Sequence, residues 1–285
     1  MRRRTILVTG SSGTLGSALV ASLKDQHSVV QLDAREPSAD QRGVGCVFTG
    51  RITDEALVAQ AMDGVDTVIH CAAVPGPRKP YYELVESNVM GTFRLLEAAG
   101  NLKTVEQFVY ISSLTWHGLS ETPFKNRPVF LPLNEDHPSL AIDYYSCSKV
   151  QAEYWCEKYA ARFRKPVVAV RPPSIVPVKA QPDFCARPAP EYPYLNDYVG
   201  TTDLIDGILR CMDYDPPGGF DRFLFHAVDQ RSTTPTPDLI DRYWPDITCD
   251  REKLSLYDGF AAMIDCAHAH EKLGWTPHFR CRREQ

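Results

Sequence analysis

Apolar positions in this chain fall into short β-branched runs separated by stretches with helical spacing. The first run, Thr5 to Thr9, meets glycines at 10, 13 and 16, and apolar residues at Leu15, Ala18, Leu19 and Leu23 follow at once. That order predicts a strand, a tight turn and a helix. Val29 to Asp33 predicts a second strand, Val44 to Thr49 a third, and Asp54 to Met62 a helix. Thr67 to Ala73 is a further apolar run, ending in two small residues before a Pro-Gly-Pro turn. Tyr81 to Ala99 carries one apolar stripe (Leu84, Val85, Val89, Phe93, Leu96) and is expected to be a helix. Gln107 to Ile111 is another buried strand, and Tyr144 opens a helix through Val150, Tyr154, Trp155 and Tyr159. Alternation of this kind predicts an α/β fold with a doubly wound parallel sheet and right-handed crossovers.

The 285 residues are enough for one large domain, or for a domain with a smaller lobe. A net charge of -5, with no basic run beyond Arg2 to Arg4, argues against a nucleic-acid partner. No stretch approaches the ~20 apolar residues of a membrane helix. The arginines lead straight into strand residues, so no apolar leader is expected, and the chain reads as soluble and cytoplasmic. The nine cysteines are scattered singly, with no Cys-x-x-Cys. Neither a disulfide framework nor a zinc or other metal site is expected, and most thiols read as small apolar residues in a reducing compartment. The 22 prolines cluster after residue 120, which predicts a loop-rich second half.

The glycine turn is where chemistry first shows. Gly10 can take the turn's backbone angles, Gly13 lets backbone approach a pyrophosphate, and Gly16 lets the helix pack on the strand. Backbone N–H groups and the positive end of the helix dipole then face the phosphates. Asp33 closes the second strand about twenty residues beyond this loop, where a carboxylate accepts ribose hydroxyls and repels a 2′-phosphate. It favours NAD over NADP, whereas Arg35 nearby is a residue type that pairs with that phosphate. Tyr145 and Lys149 lie one turn apart on one helical face.

Taken together, these segments resemble the short-chain dehydrogenase/reductase superfamily, in its extended branch of NAD-dependent epimerases and dehydratases. Thr9 to Gly16 resembles that branch's glycine loop, and Ile69-His70-Cys71-Ala72-Ala73 its fourth strand. Asn88-Val89-Met90-Gly91-Thr92 is similar to its central-helix motif, and Val109-Tyr110-Ile111-Ser112-Ser113 to its catalytic-serine strand. Tyr145 and Lys149 match the catalytic pair, Arg171-Pro172-Pro173 the Arg-Pro after the sixth strand, and Lys272 to Pro277 the terminal signature. Two positions depart from the pattern. Arg51 stands where the branch has an acid that contacts adenine, and Trp116-His117-Gly118 replaces Val-Tyr-Gly. His117 is placed to contact substrate, to pack or to face solvent.

The resemblance implies a Rossmann-type NAD(P)-binding domain over residues 1–172. Residues 173–285 then form a small substrate-binding lobe interleaved with the last sheet elements, one near Phe223 to Ala227. It implies catalysis by Ser113, Tyr145 and Lys149. Cofactor contacts follow at Gly10, Ser12, Gly13, Thr14, Leu15, Gly16, Asp33, Arg35, Ile52, Cys71, Ala72, Ala73, Asn88, Ile111, Tyr145, Lys149, Arg171 and Pro172. Substrate contacts follow at Val74, Ser113, Leu114, Thr115, Pro173, Ser174 and Arg187. A free tyrosine, with a pKa of ~10, is a poor base near neutrality. A neighbouring ammonium and the positive nicotinamide favour its phenolate, so Tyr145 takes the proton of a substrate hydroxyl while hydride moves to the ring. Ser113 would hold the substrate oxygen.

The short lobe after Arg171 implies a small substrate without a nucleotide handle: a sugar acid, a sugar, or a secondary-metabolite alcohol or ketone. The plan, including Ser174 to Val178, resembles the uronate dehydrogenases of the branch, in which an arginine near Arg187 meets the substrate carboxylate. A solvated Arg187 fits the spacing equally well. The alternative reaction is a redox-neutral sugar epimerase that retains NAD. Leu114 and Thr115 stand where dehydratases carry Asp-Glu, which disfavours dehydration, and the intact Ser113, Tyr145 and Lys149 disfavour a non-catalytic sensor. A homodimer is expected through the helices that begin at Tyr81 and Tyr145.

Overall fold

The structure is a computed structural model and describes residues 2–76, 80–119, 126–187, 189 and 198–282. The loops expected to set specificity, 74–80, 114–143 and 174–200, lie partly outside these residues. The chain folds as two compact units, each built from separate stretches of sequence. The first comprises Met1–Ser112, Asp143–Val170 and Cys211–Arg222, and the second Ser113–Ile142, Arg171–Arg210 and Phe223–Gln285. The chain leaves the first unit where its fifth strand ends and returns for the Tyr145 helix.

In chain order the sheet strands are β1 (Thr5–Thr9), β2 (Ser28–Asp33), β3 (Cys46–Thr49), β4 (Thr67–His70) and β5 (Gln107–Ile111). The short β6 (Phe130–Leu131) intervenes before β7 (Val167–Arg171); β8 (Ser174–Val176), β9 (Tyr198–Gly200), β10 (Phe220–Leu224) and β11 (Thr248–Cys249) follow. The seven-stranded sheet has the order β10-β7-β5-β4-β1-β2-β3, and every pairing from β3 to β7 is parallel. Strands buried on both faces need continuous apolar runs, which is why β1, β4, β5 and β7 read as they do. The parallel Rossmann-type sheet expected from the sequence is thus present.

Helices flank the sheet: α1 (Thr14–Leu23), α2 (Glu55–Ala61), α3 (Tyr81–Val85), α4 (Thr92–Asn101) and α5 (Tyr144–Phe163). The carboxylate of Asp143 caps α5 by accepting the Ser146 N–H at 2.8 Å. The core of the first unit packs Leu7, Leu32, Val68, Phe108 and Val167 of the sheet against Leu95, Leu96, Ala152, Cys156 and Tyr159 of α4 and α5.

One expected helix is in fact three pieces. Between α3 and α4, Glu86–Gly91 winds as a π-turn, so Tyr81 to Ala99 is not one α-helix. A wide turn inserts a residue and rotates what precedes it. Val85, expected in the apolar stripe, is consequently 41% exposed, while Leu84 and Val89, five residues apart, are buried.

In the second unit, β8 pairs with β9 and β11 with β6, both parallel. Its core gathers Leu114, Leu131, Leu133, Leu224, Leu239, Ile240 and Met263. The cysteines depart from expectation here. Cys185, in α6 (Gln181–Ala186), is bonded to Cys281, 96 residues away, and the other seven thiols are free. A bridge between two singly placed cysteines so far apart leaves no spacing signature. Of the free thiols only Cys156 and Cys211 are fully buried. No helix among the described residues is long and apolar enough to cross a membrane.

Candidate active site

Beyond the carboxyl ends of β1 to β4, where the strand order reverses on either side of β1, the first unit holds a cleft of about 660 Å³. Open α/β sheets bind ligands at this position. The expected residues Gly10, Ser12, Gly13, Thr14, Asp33, Arg35, Ile52, Cys71, Ala72, Ala73 and Val74 line it, and so does Arg51. Sequence reasoning missed Glu83, Glu86 and Ser87, also on its wall, because nothing in a helical stripe marks the side that faces a cleft.

The turn is shaped by its glycines. Gly10 has φ +67°, and a Cβ there would stand 2.7 Å from the Ala72 nitrogen. A Cβ on Gly16 would meet the Gly10 carbonyl oxygen at 2.1 Å, so Gly16 sits behind the loop and packs α1 onto it. Leu15 is buried there too. The first α-helical bond of α1 is Ser17 N to Gly13 O, at 2.9 Å. The amides of Thr14, Leu15 and Gly16 precede it and lack an intrahelical acceptor, a geometry suited to an anion.

Asp33 is built into this loop. Its carboxylate accepts the Ser12 N–H at 2.9 Å and the Arg35 N–H at 2.8 Å, and the Arg35 Nε lies 3.5 Å away. The Arg35 side chain is largely in solvent, so this contact contributes little by itself. Gln41 braces the loop from behind, donating to the Ser11 carbonyl at 2.8 Å.

A chain of hydrogen bonds runs beneath the cleft. The Ala72 N–H donates to Thr9 Oγ1 at 3.2 Å, and Thr9 Oγ1 lies 2.6 Å from His70 Nδ1. His70 Nε2 lies 2.9 Å from Thr92 Oγ1, whose hydroxyl donates to the Asn88 carbonyl at 2.7 Å. Thr92 has given its proton away, so His70 donates through Nε2 and accepts at Nδ1. The ring is neutral, and burial lowers its pKa to about 3. Asn88, held in the π-turn, takes the Val74 N–H at 2.7 Å and donates to the Val74 carbonyl and to Ser148 Oγ, each at 3.1 Å. Ser148 in turn donates to the Tyr145 carbonyl at 2.7 Å. The relay at Thr9, His70 and Thr92 escaped sequence reading; its one signal is a histidine inside an otherwise apolar strand.

On α5, Tyr145 is half-buried and Lys149 fully buried. Lys149 Nζ donates to the Ile111 carbonyl at 2.9 Å and stands 5.8 Å from the centre of the Tyr145 ring. Burial is the main cause that brings its pKa down to about 8. A lysine one turn from a tyrosine and close to discharge can support proton transfer near neutrality.

The remaining expected residues lie in the second unit. Ser113 Oγ accepts from Thr115 N at 3.2 Å and from Thr115 Oγ1 at 3.0 Å, which leaves its own O–H to donate. Leu114 turns into the core and the Pro172 carbonyl accepts its N–H at 2.8 Å. The Arg171 guanidinium is wholly buried, 3.5 Å from the centre of the Trp116 ring and 3.3 Å from His117 Nε2. His117 therefore packs. Pro173 is half-buried, Ser174 opens β8 in solvent, and Arg187 is exposed just past α6, its carbonyl 3.3 Å from Arg231 Nη1.

The Rossmann-type sheet, the glycine loop closed by an aspartate and the Tyr-x-x-x-Lys helix occur together in one family of proteins. The model of the NAD dependent epimerase/dehydratase family matches residues 6–187, and the chain belongs to that family. It is 33% identical over 135 residues to the NAD-dependent glucose-6-phosphate dehydrogenase of Haloferax volcanii, covering 46% of this chain and 51% of that one. Against the uronate dehydrogenase of Pseudomonas putida it is 28% identical over 167 residues, 58% of this chain and 59% of the relative. The match therefore spans little more than half the length of these relatives. A short-chain dehydrogenase/reductase superfamily protein from Agrobacterium tumefaciens, crystallised with NAD, shares the fold with a TM-score of 0.74. It is 22% identical, with 97% of this chain and 93% of that one aligned.

Proposed function

We propose that the protein is an NAD-dependent oxidoreductase that moves hydride between the nicotinamide and a hydroxyl or carbonyl of a small substrate, a sugar or sugar acid foremost. The observation that carries this reading is the Tyr145 and Lys149 pair, with Lys149 buried on the Ile111 carbonyl at 2.9 Å. The cleft fits the cofactor: Gly10 closes so tightly on Ala72 that no side chain fits, and Asp33 favours ribose hydroxyls over a 2′-phosphate. NAD, when held on this loop, would supply the hydride acceptor. Tyr145 then removes the substrate's hydroxyl proton, Lys149 lowers the cost of the phenolate, Ser113 donates to the substrate oxygen, and Arg187 is the candidate for a substrate carboxylate. Two dehydrogenase relatives support oxidation; the alternative is a redox-neutral epimerase that retains NAD.

The test offers NAD+ and NADP+ to the purified protein with hexuronic acids, neutral aldoses and secondary alcohols, and follows reduced nicotinamide by absorbance. Signal with NAD+ and a sugar or sugar acid supports the reading. Silence across the panel with NAD retained through purification moves it to the epimerase. Seven free thiols favour residence in the cytoplasm, whereas the Cys185–Cys281 bridge favours an oxidising compartment. A homodimer through α3, the π-turn and α5 is also proposed, because Val85, Met90, Tyr154 and Trp155 are exposed there. Light scattering at a monomer mass would refute it.

A further inference from the structure

The inner face of α5 carries one residue that the proposed reaction leaves unexplained. Tyr145, Lys149 and Glu153 follow one another at single-turn intervals, which puts Glu153 on the same face, about 5–6 Å from Lys149 between Cβ atoms. Lys149 is 2% exposed and Glu153 4%. Their neighbours on the helix, Ala152, Cys156 and Ala160, belong to the apolar core. A carboxylate at such a place is costly unless an opposite charge compensates it.

We propose that Glu153 is the fixed counter-charge of Lys149, a positioning residue that keeps the ammonium charged beside Tyr145 in a place closed to water. The proposal rests on the reading of Tyr145 and Lys149 as an acid–base pair.

Four other titratable groups that approach Lys149 in the first unit are held uncharged by burial: His70 at the end of β4, Cys71 just past it, Tyr110 on β5 and Cys156 on α5. Burial brings the His70 pKa down to about 3 and lifts Cys71 to about 12. It also holds Tyr110 and Cys156 well above their ordinary values. Cys71 and Cys156 would favour the ammonium only as thiolates, a form burial denies them. The Lys149 Nζ lies 5.1 Å from the centre of the Tyr110 ring, a face that attracts a cation without carrying net charge. With Tyr145 still a phenol, before it gives up its proton, Glu153 is the carboxylate on this helix face that can supply negative charge against the desolvation of Lys149.

The test is a titration of isotope-labelled lysine in the full-length protein by NMR, with the Lys149 signal identified by its loss in Lys149→Met. In Glu153→Gln, which keeps shape and removes charge, the Lys149 midpoint is expected to fall by about one pH unit or more. For a midpoint starting near 8, the charged fraction at about pH 7.5 then drops about threefold, and the pH profile of turnover moves with it. An unchanged midpoint overturns the proposal. Should Glu153→Gln fail to fold, the double variant Lys149→Met with Glu153→Gln decides: a folded double variant supports charge compensation, an unfolded one overturns it. The titration reads the lysine itself, so it stands apart from any failure of the proposed reaction.

Discussion

The His70 imidazole donates to the Thr92 hydroxyl across 2.9 Å and thereby joins the end of β4 to the π-turn that holds Asn88. The bond needs the neutral ring, because Nδ1 must accept from Thr9. It also fixes the Ala72 amide at the cleft floor, through Thr9.

Acid should undo this arrangement. With His70 held at about 3 in the folded protein and near 6.5 unfolded, the unfolded chain binds the extra proton between these values. The contribution of His70 is therefore whole above about 6.5 and lost as pH falls toward 3, by about 1.4 kcal/mol per pH unit. His226 in the second unit, lowered to about 4, adds to the same limb. Denaturant melts of wild type and His70→Phe across this range are expected to converge at low pH. Parallel curves would contradict the assignment of a neutral relay.

Asn88→Ala leaves both the amide and the carbonyl of Val74 without their side-chain partner. A lost buried partner costs about 1–3 kcal/mol. The expected outcome is a lower melting temperature with an unchanged circular dichroism spectrum and at least a tenfold fall in turnover, since Ser148 and the Tyr145 turn lose their tether.

Cofactor preference should follow charge at Asp33. Asp33→Asn removes the negative charge that opposes a 2′-phosphate and keeps an oxygen for one of the two amides, Ser12 and Arg35, which meet different carboxylate oxygens. The ratio of kcat/KM for NADP+ over NAD+ is expected to rise at least tenfold, about 1.4 kcal/mol. Arg35 and Arg51, both on the cleft wall, are ready to receive that phosphate. An unchanged ratio would remove Asp33 as the selector.

The Cys185–Cys281 bridge closes a long loop in the second unit. Closing a loop of this size lowers the entropy of the unfolded chain, which stabilises the fold by up to ~4.7 kcal/mol in the chain-entropy description. Reduction by a dithiol is expected to lower the melting temperature, and Cys281→Ser should melt low with or without reductant. A melt indifferent to both would mean the bridge contributes nothing.

Much of the fold was legible because its signals are local. Thr5 to Leu23 states strand, turn and helix within a short window, and Asp33 marks a strand end by itself. The π-turn was hidden because periodicity assumes 3.6 residues per turn, so Val85 was read as buried and is not. The burial of Arg171 against Trp116 and His117 is a tertiary contact that a linear motif does not carry. The bridge between Cys185 and Cys281 is hidden for the same reason. Lys149 was found from its spacing to Tyr145, but its burial on Ile111 required the sheet.

The measurement that bears most directly on the account is turnover by Tyr145→Phe, paired with NAD+ binding by calorimetry on the same sample. The account predicts unchanged affinity and folding with nearly all turnover lost, because the ring remains and only the proton-carrying oxygen is gone. Turnover near the wild-type rate would contradict it and remove Tyr145 from the chemistry.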